Sequence, residues 1–451
     1  MGRYNEPQSQ RNSPKSIKKL NMKSSERFKP GLAFAKNLDK NDDLKQFRDQ
    51  FYFPEKDAIY LDGNSLGRLP NKTRGLLKNV VDHEWGKQLI RSWNEGWYEL
   101  SEKVSGKIAQ LVGADADEIA TCDSTSMNLY KLAMAAMKSK KGRTRIVSDE
   151  FNFPTDLYVL QGIASQLGSE YKVELAKSTD SLTMTIDDLE RVIDETTAVV
   201  VLSYVAFKSA FMYDMKAVTE FVHSKGALII WDLSHAGGAV NVDLNDAGAD
   251  MAIGCTYKYM NGGPGAPAYL YVAKHLQGKL TSPVWGWFGE DNPFAFDLNY
   301  KPASGIRRFL VGTPPVLSLS AIEPGLDLLL EAGMQNLRKK SIEQSEYLIY
   351  LWETYLDPIN FELGSPNNST QRGSHISLRH PEAYRICKAL INPTEESPKI
   401  IPDFREPDNI RLGIAPIYNT YQEIYLAVKR MEEIVTQKLF ESYSSEREAV
   451  T

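Results

Sequence analysis

Lys258 sits between two tyrosines and runs straight into Asn-Gly-Gly-Pro-Gly, within CTYKYMNGGPG at residues 255–265. Lysine side chains prefer solvated surface. The aromatic neighbours and the glycine-rich exit instead describe a tight, enclosed turn. Upstream by 26 residues, ALIIWDLSHAGG places Asp232 at the end of an apolar run, with His235 three residues on. Taken singly, Lys258 reads as a surface lysine at a strand end and Asp232 as a strand-end cap. Together, an acid and an amine at the ends of two buried strands suit one cofactor. Pyridoxal phosphate is held as a Schiff base by a lysine, and a carboxylate keeps its pyridine nitrogen protonated so that the ring accepts electrons from a carbanion. The cofactor also needs a phosphate cradle. DSTS at 123–126, just ahead of the helix-patterned MNLYKLAMAAM, offers hydroxyls and free N–H groups at a helix N-terminus.

The elements that must position these residues are readable from pattern. EIATCDSTS, TRIVSDE, AVVVLSYV, ALIIWD and MAIGCT read as strands, most of them apolar without alternation. Helical spacing separates them, as in SEKVSGKIAQLVGA, where Val104, Ile108, Leu111 and Val112 share a face. This alternation predicts an α/β fold with a parallel sheet covered on both faces. Ligands in such sheets bind beyond the carboxyl ends of the strands. That rule selects Ser124 to Ser126, Phe151 to Asp156, Ser203, Asp232 to His235, and Lys258. From about residue 316 one long amphipathic helical region is followed by shorter strands and helices, which predicts a smaller α+β domain.

Bulk composition narrows the function classes. A chain of 451 residues argues for two domains, and a net charge of -5 gives no electrostatic case for nucleic acid or an anionic membrane. No run of about 18 apolar residues predicts a membrane span. No charged start, apolar stretch and cleavage site predict secretion. Cys122, Cys255 and Cys387 are odd in number, widely separated and without metal-ligand spacing, so a reduced cytoplasmic enzyme without a metal fits. Residues 1–33 are polar, basic and poor in large apolar residues and read as a disordered tail, with a transit peptide as the alternative.

Ten motifs in register carry a family resemblance: YLDGNSLG, LIRSWNEGW, DSTSMNL, FNFPTD, WDLSHAGG, TYKYMNGGPG, GWFG, GTPP, RGSHISLRHPEAYRIC and NIRLGIAPIYN. Over about residues 34–440 the chain resembles the kynureninases, fold-type-I pyridoxal-phosphate hydrolases related to the class-V aminotransferases. The resemblance implies a large cofactor-binding domain at 56–315 with a mostly parallel seven-stranded sheet, and a small α+β domain at 316–440. It also implies an N-terminal segment at 34–55 packing on the small domain, a tail at 441–451, and a homodimer with sites at the subunit interface.

Residue by residue, the resemblance makes Lys258 the Schiff-base lysine and pairs Asp232 with the ring nitrogen. Phe153 stacks on the pyridine and Asp156 sits at the ring's polar edge. Thr125 and Ser126 hold the phosphate side, Ser203 and His235 contact the ring or its neighbours, and Tyr257 touches the phosphate and relays a proton. Trp287 and Thr313 serve cofactor and substrate across the dimer interface. Arg411 grips the substrate α-carboxylate through a bidentate fork, and Trp93 lines the aryl pocket.

The implied reaction is hydrolytic Cβ–Cγ cleavage of L-kynurenine, or 3-hydroxykynurenine, to anthranilate or 3-hydroxyanthranilate and L-alanine, as in tryptophan degradation and NAD biosynthesis. Lys258 acts as base at Cα, and Tyr257 as the acid that closes the sequence. Three rivals use parts of the same constellation: a cysteine desulfurase or aminotransferase, a non-catalytic binding module, and a biosynthetic enzyme for a modified kynurenine. A desulfurase needs a cysteine on a mobile loop, and Cys122, Cys255 and Cys387 all fall in strand or helix patterns.

Overall fold

The computed structural model describes residues 27–447, apart from 56 and 395. Strand β1 (Ile59–Tyr60) stands outside the main sheet. The main sheet has seven strands: β2 (Ile119–Thr121), β3 (Arg145–Asp149), β4 (Lys172–Ala176), β5 (Thr197–Ser203), β6 (Leu228–Asp232), β7 (Met251–Gly254) and β8 (Tyr269–Val272). Their order is β2-β8-β7-β6-β5-β3-β4. Strands β3 to β7 pair in parallel, and β8 runs antiparallel to both neighbours. Every residue of β5, β6 and β7 is buried. That burial explains their unbroken apolar runs, because a strand covered on both faces has no solvent side to make polar.

The chain adds β4 on one side of β3, then returns to place β5, β6 and β7 on the other. The sheet therefore has a switch point between β3 and β5, where two connections diverge and leave a crevice. Helix Thr125–Ser139 starts beside it, capped by Ser124, whose Oγ accepts from the Met127 N–H at 3.3 Å. Helix Pro154–Leu167 starts there too, with proline at its first position. These two starts hold Thr125, Ser126, Phe153 and Asp156 at the rim.

The small domain carries β9 (Glu362–Leu363), β10 (Ile376–Arg379), β11 (Ile400–Ile401), β12 (Asp403–Arg405) and β13 (Asn409–Leu412). Four of them form an antiparallel sheet in the order β12-β13-β10-β9, while β11 pairs in parallel with β1. The segment that begins YLDGNSLG is thus tied to the small domain before it enters the crevice.

Two hydrophobic cores divide the chain elsewhere than at residue 316. Helix Val316–Ala332 buries Leu319, Ile322, Leu326 and Leu329 in the large core. Gly333, at φ +77°, breaks the expected single helical region. Helix Met334–Leu351 then crosses between cores, with Leu337 in the first and Tyr347, Leu348 and Leu351 in the second.

The folded chain also reaches further at both ends than its composition suggests. Phe28 is 4% exposed and packs on Tyr347 at 5.4 Å between ring centroids, while Arg27 pairs with Glu343 at 3.0 Å. Phe28 therefore belongs to the small-domain core, and residues 1–26 of the expected tail lie outside the described residues. Residues 34–55 bridge the two cores: Ala35 lies in the small one, Phe47 and Phe51 in the large one. At the other end Arg385 donates to the Glu441 and Tyr443 carbonyls, and Arg447 lies over the Tyr384 ring at 4.3 Å. Glu441, Tyr443 and Arg447 thus contact the small domain, and 448–451 lie outside the described residues.

Candidate active site

A cavity of about 790 Å³ opens beyond the carboxyl ends of the parallel strands. Thr125, Ser126, Phe153, Asp156, Asp232, His235, Tyr257, Lys258 and Arg411 all line it. Residues spread over nearly 290 positions of sequence thus converge on one volume, as the strand-end rule requires.

Lys258 Nζ lies 3.0 Å from His235 Nε2 and 5.9 Å from the centroids of the Phe153 and Tyr257 rings. Asp232 is buried at the end of β6. Its Oδ1 accepts from the Ser234 N–H at 2.9 Å and the Ser234 hydroxyl at 2.6 Å. Its Oδ2 has only the Ser203 hydroxyl, at 3.3 Å, and that hydroxyl lies closer to Asn152 Oδ1, at 2.7 Å. A hydroxyl has one proton to give. The shorter bond takes it, which leaves Asp232 Oδ2 free to accept from a ring N–H.

Asp156 sits in the first turn of Pro154–Leu167, 3% exposed, and its Oδ2 has no partner among the described residues. Burial, and then the nearby Asp232 charge, hold its carboxyl well above the usual carboxylate range. That shift favours the protonated carboxyl, the form that can donate to an electron-rich oxygen. His235 Nδ1 is likewise buried and unpartnered. Buried polar groups in native proteins find partners, so these two atoms mark places a polar ligand or water would fill. The Phe153 ring meets Phe207 edge to face at 5.3 Å, is itself 39% exposed, and borders the cavity.

The turns after Lys258 follow from close approach. A Cβ on Gly67 would fall on the Lys258 carbonyl oxygen, so only glycine lets YLDGNSLG lie against the lysine loop. Gly263, at φ +89°, takes the left-handed turn that leads away from it.

Arg411, 1% exposed, enters from β13. Strand register sets Asp403 opposite it, and the two form an ion pair; the guanidinium also donates to the Phe207 carbonyl. Burial pulls its pKa down to about 10, still far above neutrality. Arg405, which pairs with the other Asp403 oxygen at 2.9 Å, lines the same cavity. Two cations share the Asp403 carboxylate, and Asp62 also lies close enough to act on both. Arg405, Asn64 and Ser65 were not singled out from sequence. The signal for Arg405 is its two-residue spacing from Asp403, which puts both on one face of a strand.

Four expected residues stand elsewhere. Ser203 is not among the residues lining the cavity; it is buried beside Asp232 with its hydroxyl turned to Asn152. Trp93 and Trp287 belong to an aromatic cluster around Phe288, at 6.0 and 4.6 Å, outside the cavity of their own chain. Thr313 is exposed beside a separate cleft of about 80 Å³ that shares Asp123 with the main cavity.

Comparison with known proteins places this geometry. Residues 81–383 match the Aminotransferase class-V family, and residues 337–431 match the Kynureninase C-terminal domain. A cysteine desulfurase from Thermococcus onnurineus NA1 superposes with a TM-score of 0.75 at 17% identity, covering 87% of this chain and 98% of that one. The cystine C–S lyase C-DES gives 0.69 at 16% identity, covering 84% and 98%. Identities this low speak for the fold alone. Fold and site together define a fold-type-I, class-V aminotransferase-like enzyme that uses pyridoxal phosphate. The sequence relatives are narrower. The chain is 43% identical over 406 residues to the kynureninase of Pseudomonas fluorescens, covering 89% of this chain and 94% of the relative. It is 40% identical over 403 residues to that of Burkholderia mallei (strain SAVP1), covering 88% and 94%. The chain belongs to the kynureninase family.

Proposed function

We propose that this chain hydrolyses the Cβ–Cγ bond of L-kynurenine to give anthranilate and L-alanine, with pyridoxal phosphate as cofactor. The observation that carries the reading is the shared cavity of Lys258, Asp232 and Arg411, with the amine and acid at adjacent strand ends and the guanidinium opposite them from the small domain. When bound, the cofactor supplies an electron sink next to the amino acid's Cα and Cβ.

The chain's own residues do the rest. Arg411 binds the α-carboxylate, with Arg405 adding positive charge. Lys258 removes and returns the proton at Cα, steered by its contact with His235. Asp232, held by Ser234, keeps the ring nitrogen protonated. Tyr257 is half-buried, and burial followed by the neighbouring Cys255 raises its pKa, so it carries a proton to give to Cβ after cleavage. Ser124 to Ser126, at a helix N-terminus, hold the phosphate. Water is consumed at the aryl ketone.

Trp287, Thr313 and Trp93 enter through a homodimer. They do not line the main cavity of their own chain, and Trp287 neighbours the exposed Phe294, which in turn neighbours the exposed Phe296. Such a cluster of exposed aromatics marks an interface. In this reading the partner copy brings these three side chains to the substrate's aryl end, and their contacts decide whether a ring hydroxyl is accepted. No described helix is long and apolar enough to cross a membrane. Three free, buried cysteines suit a reducing cytoplasm. They also speak against desulfuration, which needs an accessible thiol near the cofactor.

The test is stoichiometry. Purified enzyme with pyridoxal phosphate and L-kynurenine should yield anthranilate and alanine in equal amounts. Transamination would instead leave the carbon chain intact and consume a keto acid.

A further inference from the structure

We infer that Lys131 is a positioning residue for the phosphate cradle, acting through Asp123. This rests on the reading of Ser124 to Ser126 as the cradle. Lys131 has no exposed side-chain surface, and its ammonium has three acceptors: Asp123 Oδ2 at 2.6 Å, the Phe309 carbonyl at 2.7 Å and the Cys122 sulfur at 3.4 Å. Its three donors are thus satisfied in the protein, and none is left for a ligand.

Asp123 is the hinge between β2 and the cradle. It takes a left-handed backbone, φ +50°, which non-glycine residues rarely adopt. Its carbonyl accepts from the Ala268 N–H at 2.9 Å, and its side chain borders the cavity next to Ser124, Thr125 and Ser126. A carboxylate at that place opposes a phosphate dianion. Lys131 cancels its charge from behind and pulls one oxygen toward the core. The bond to Phe309 reaches the end of Gly305–Phe309, from which the chain runs to Pro315 in the cavity wall. One buried ammonium therefore neutralises the hinge acid and ties the cradle to the segment that leads to Pro315.

The effect is separable from simple destabilisation, because the harm of losing Lys131 comes from the Asp123 charge left behind. The experiment measures the dissociation constant for pyridoxal phosphate, from the visible band of the lysine-linked cofactor, and the phosphorus NMR shift of the bound phosphate. Lys131→Met should weaken binding roughly 10-fold or more and move the phosphorus resonance. Asp123→Asn should have a smaller effect. The double variant should recover affinity toward the wild type and return the resonance. Lys131→Gln, which keeps a donor for Phe309 without the charge, carries the same comparison if the methionine variant does not fold. Wild-type affinity in the lysine variants, or a double variant as weak as the single, would overturn the inference. A wild-type protein that takes up no pyridoxal phosphate would instead overturn the functional reading beneath it.

Discussion

The Nζ of Lys258 and the Nε2 of His235 stand 3.0 Å apart. Burial first, and then the Lys258 charge, push the His235 pKa far below the ordinary histidine value. The imidazole is neutral at working pH, so it accepts from the lysine and carries its own proton on Nδ1. His375 lies 5.5 Å away between ring centroids and is fully buried. Its pKa is pushed down by burial and then by Arg411. The site thus keeps two neutral imidazoles beside cations, a cost that appears as pH-dependent stability.

Below about pH 6.5, the unperturbed value, an unfolded chain protonates these histidines while the folded one does not. Their contribution is present above that pH and is lost as the pH falls toward the depressed folded values. His375→Gln should flatten the fall in stability of the cofactor-free protein below that point by up to about 1.4 kcal/mol per pH unit. Asp149 and Asp156, whose pKa values are raised by burial, act in the opposite direction in both proteins and cancel in the difference. Urea unfolding at a series of pH values measures it, and parallel curves would refute it.

Tyr257→Phe should retain the cofactor and lower kcat by roughly 10²- to 10⁴-fold, the range for losing a placed general acid. Steady-state kinetics beside the cofactor's absorption spectrum separate the two effects. A kcat within a few-fold of wild type would remove Tyr257 from the proton transfers.

Mixing two impaired variants tests the shared site. In the proposed homodimer, Lys258→Ala and Trp287→Ala co-refolded in equal amounts should form mixed dimers in which one site has its own lysine and the partner's tryptophan. Random pairing should return about a quarter of wild-type activity. Recovery no greater than the sum of the two variants alone would place Trp287 in service of its own subunit.

Phe28→Ala should cost about 3–5 kcal/mol, the range for truncating a buried phenylalanine. Its packing on Tyr347 and Tyr350 makes it part of the small-domain core. Denaturant unfolding gives the value, and a loss below about 1 kcal/mol would detach the segment from the core.

Much of this was legible in the sequence because it is local. Buried strands β5, β6 and β7 announce themselves as largely unbroken apolar runs, whose ends name Ser203 and Asp232 and, just beyond β7, Lys258. Strand β4 gives no such signal, since it is the sheet's edge and keeps partly exposed residues. Strand β8 follows the NGGPG turn and pairs antiparallel, outside the strand–helix alternation. Strand β1 pairs with β11, some 340 residues away, and no local pattern encodes that partner. Lys131 sits inside the helix-patterned MNLYKLAMAAM with nothing local to mark it, and its acceptor at Phe309 is 178 residues away. Trp93, Trp287 and Thr313 were named by family resemblance, and a single chain does not bring them to its own cavity.

The central claim is tested most directly by anthranilate fluorescence. Wild-type protein loaded with pyridoxal phosphate should show a steady rise on adding L-kynurenine, and Lys258→Ala at equal concentration should show none above background. A wild-type sample whose visible spectrum shows lysine-bound cofactor, yet which releases no anthranilate, would contradict the account and turn attention to ring-modified kynurenines.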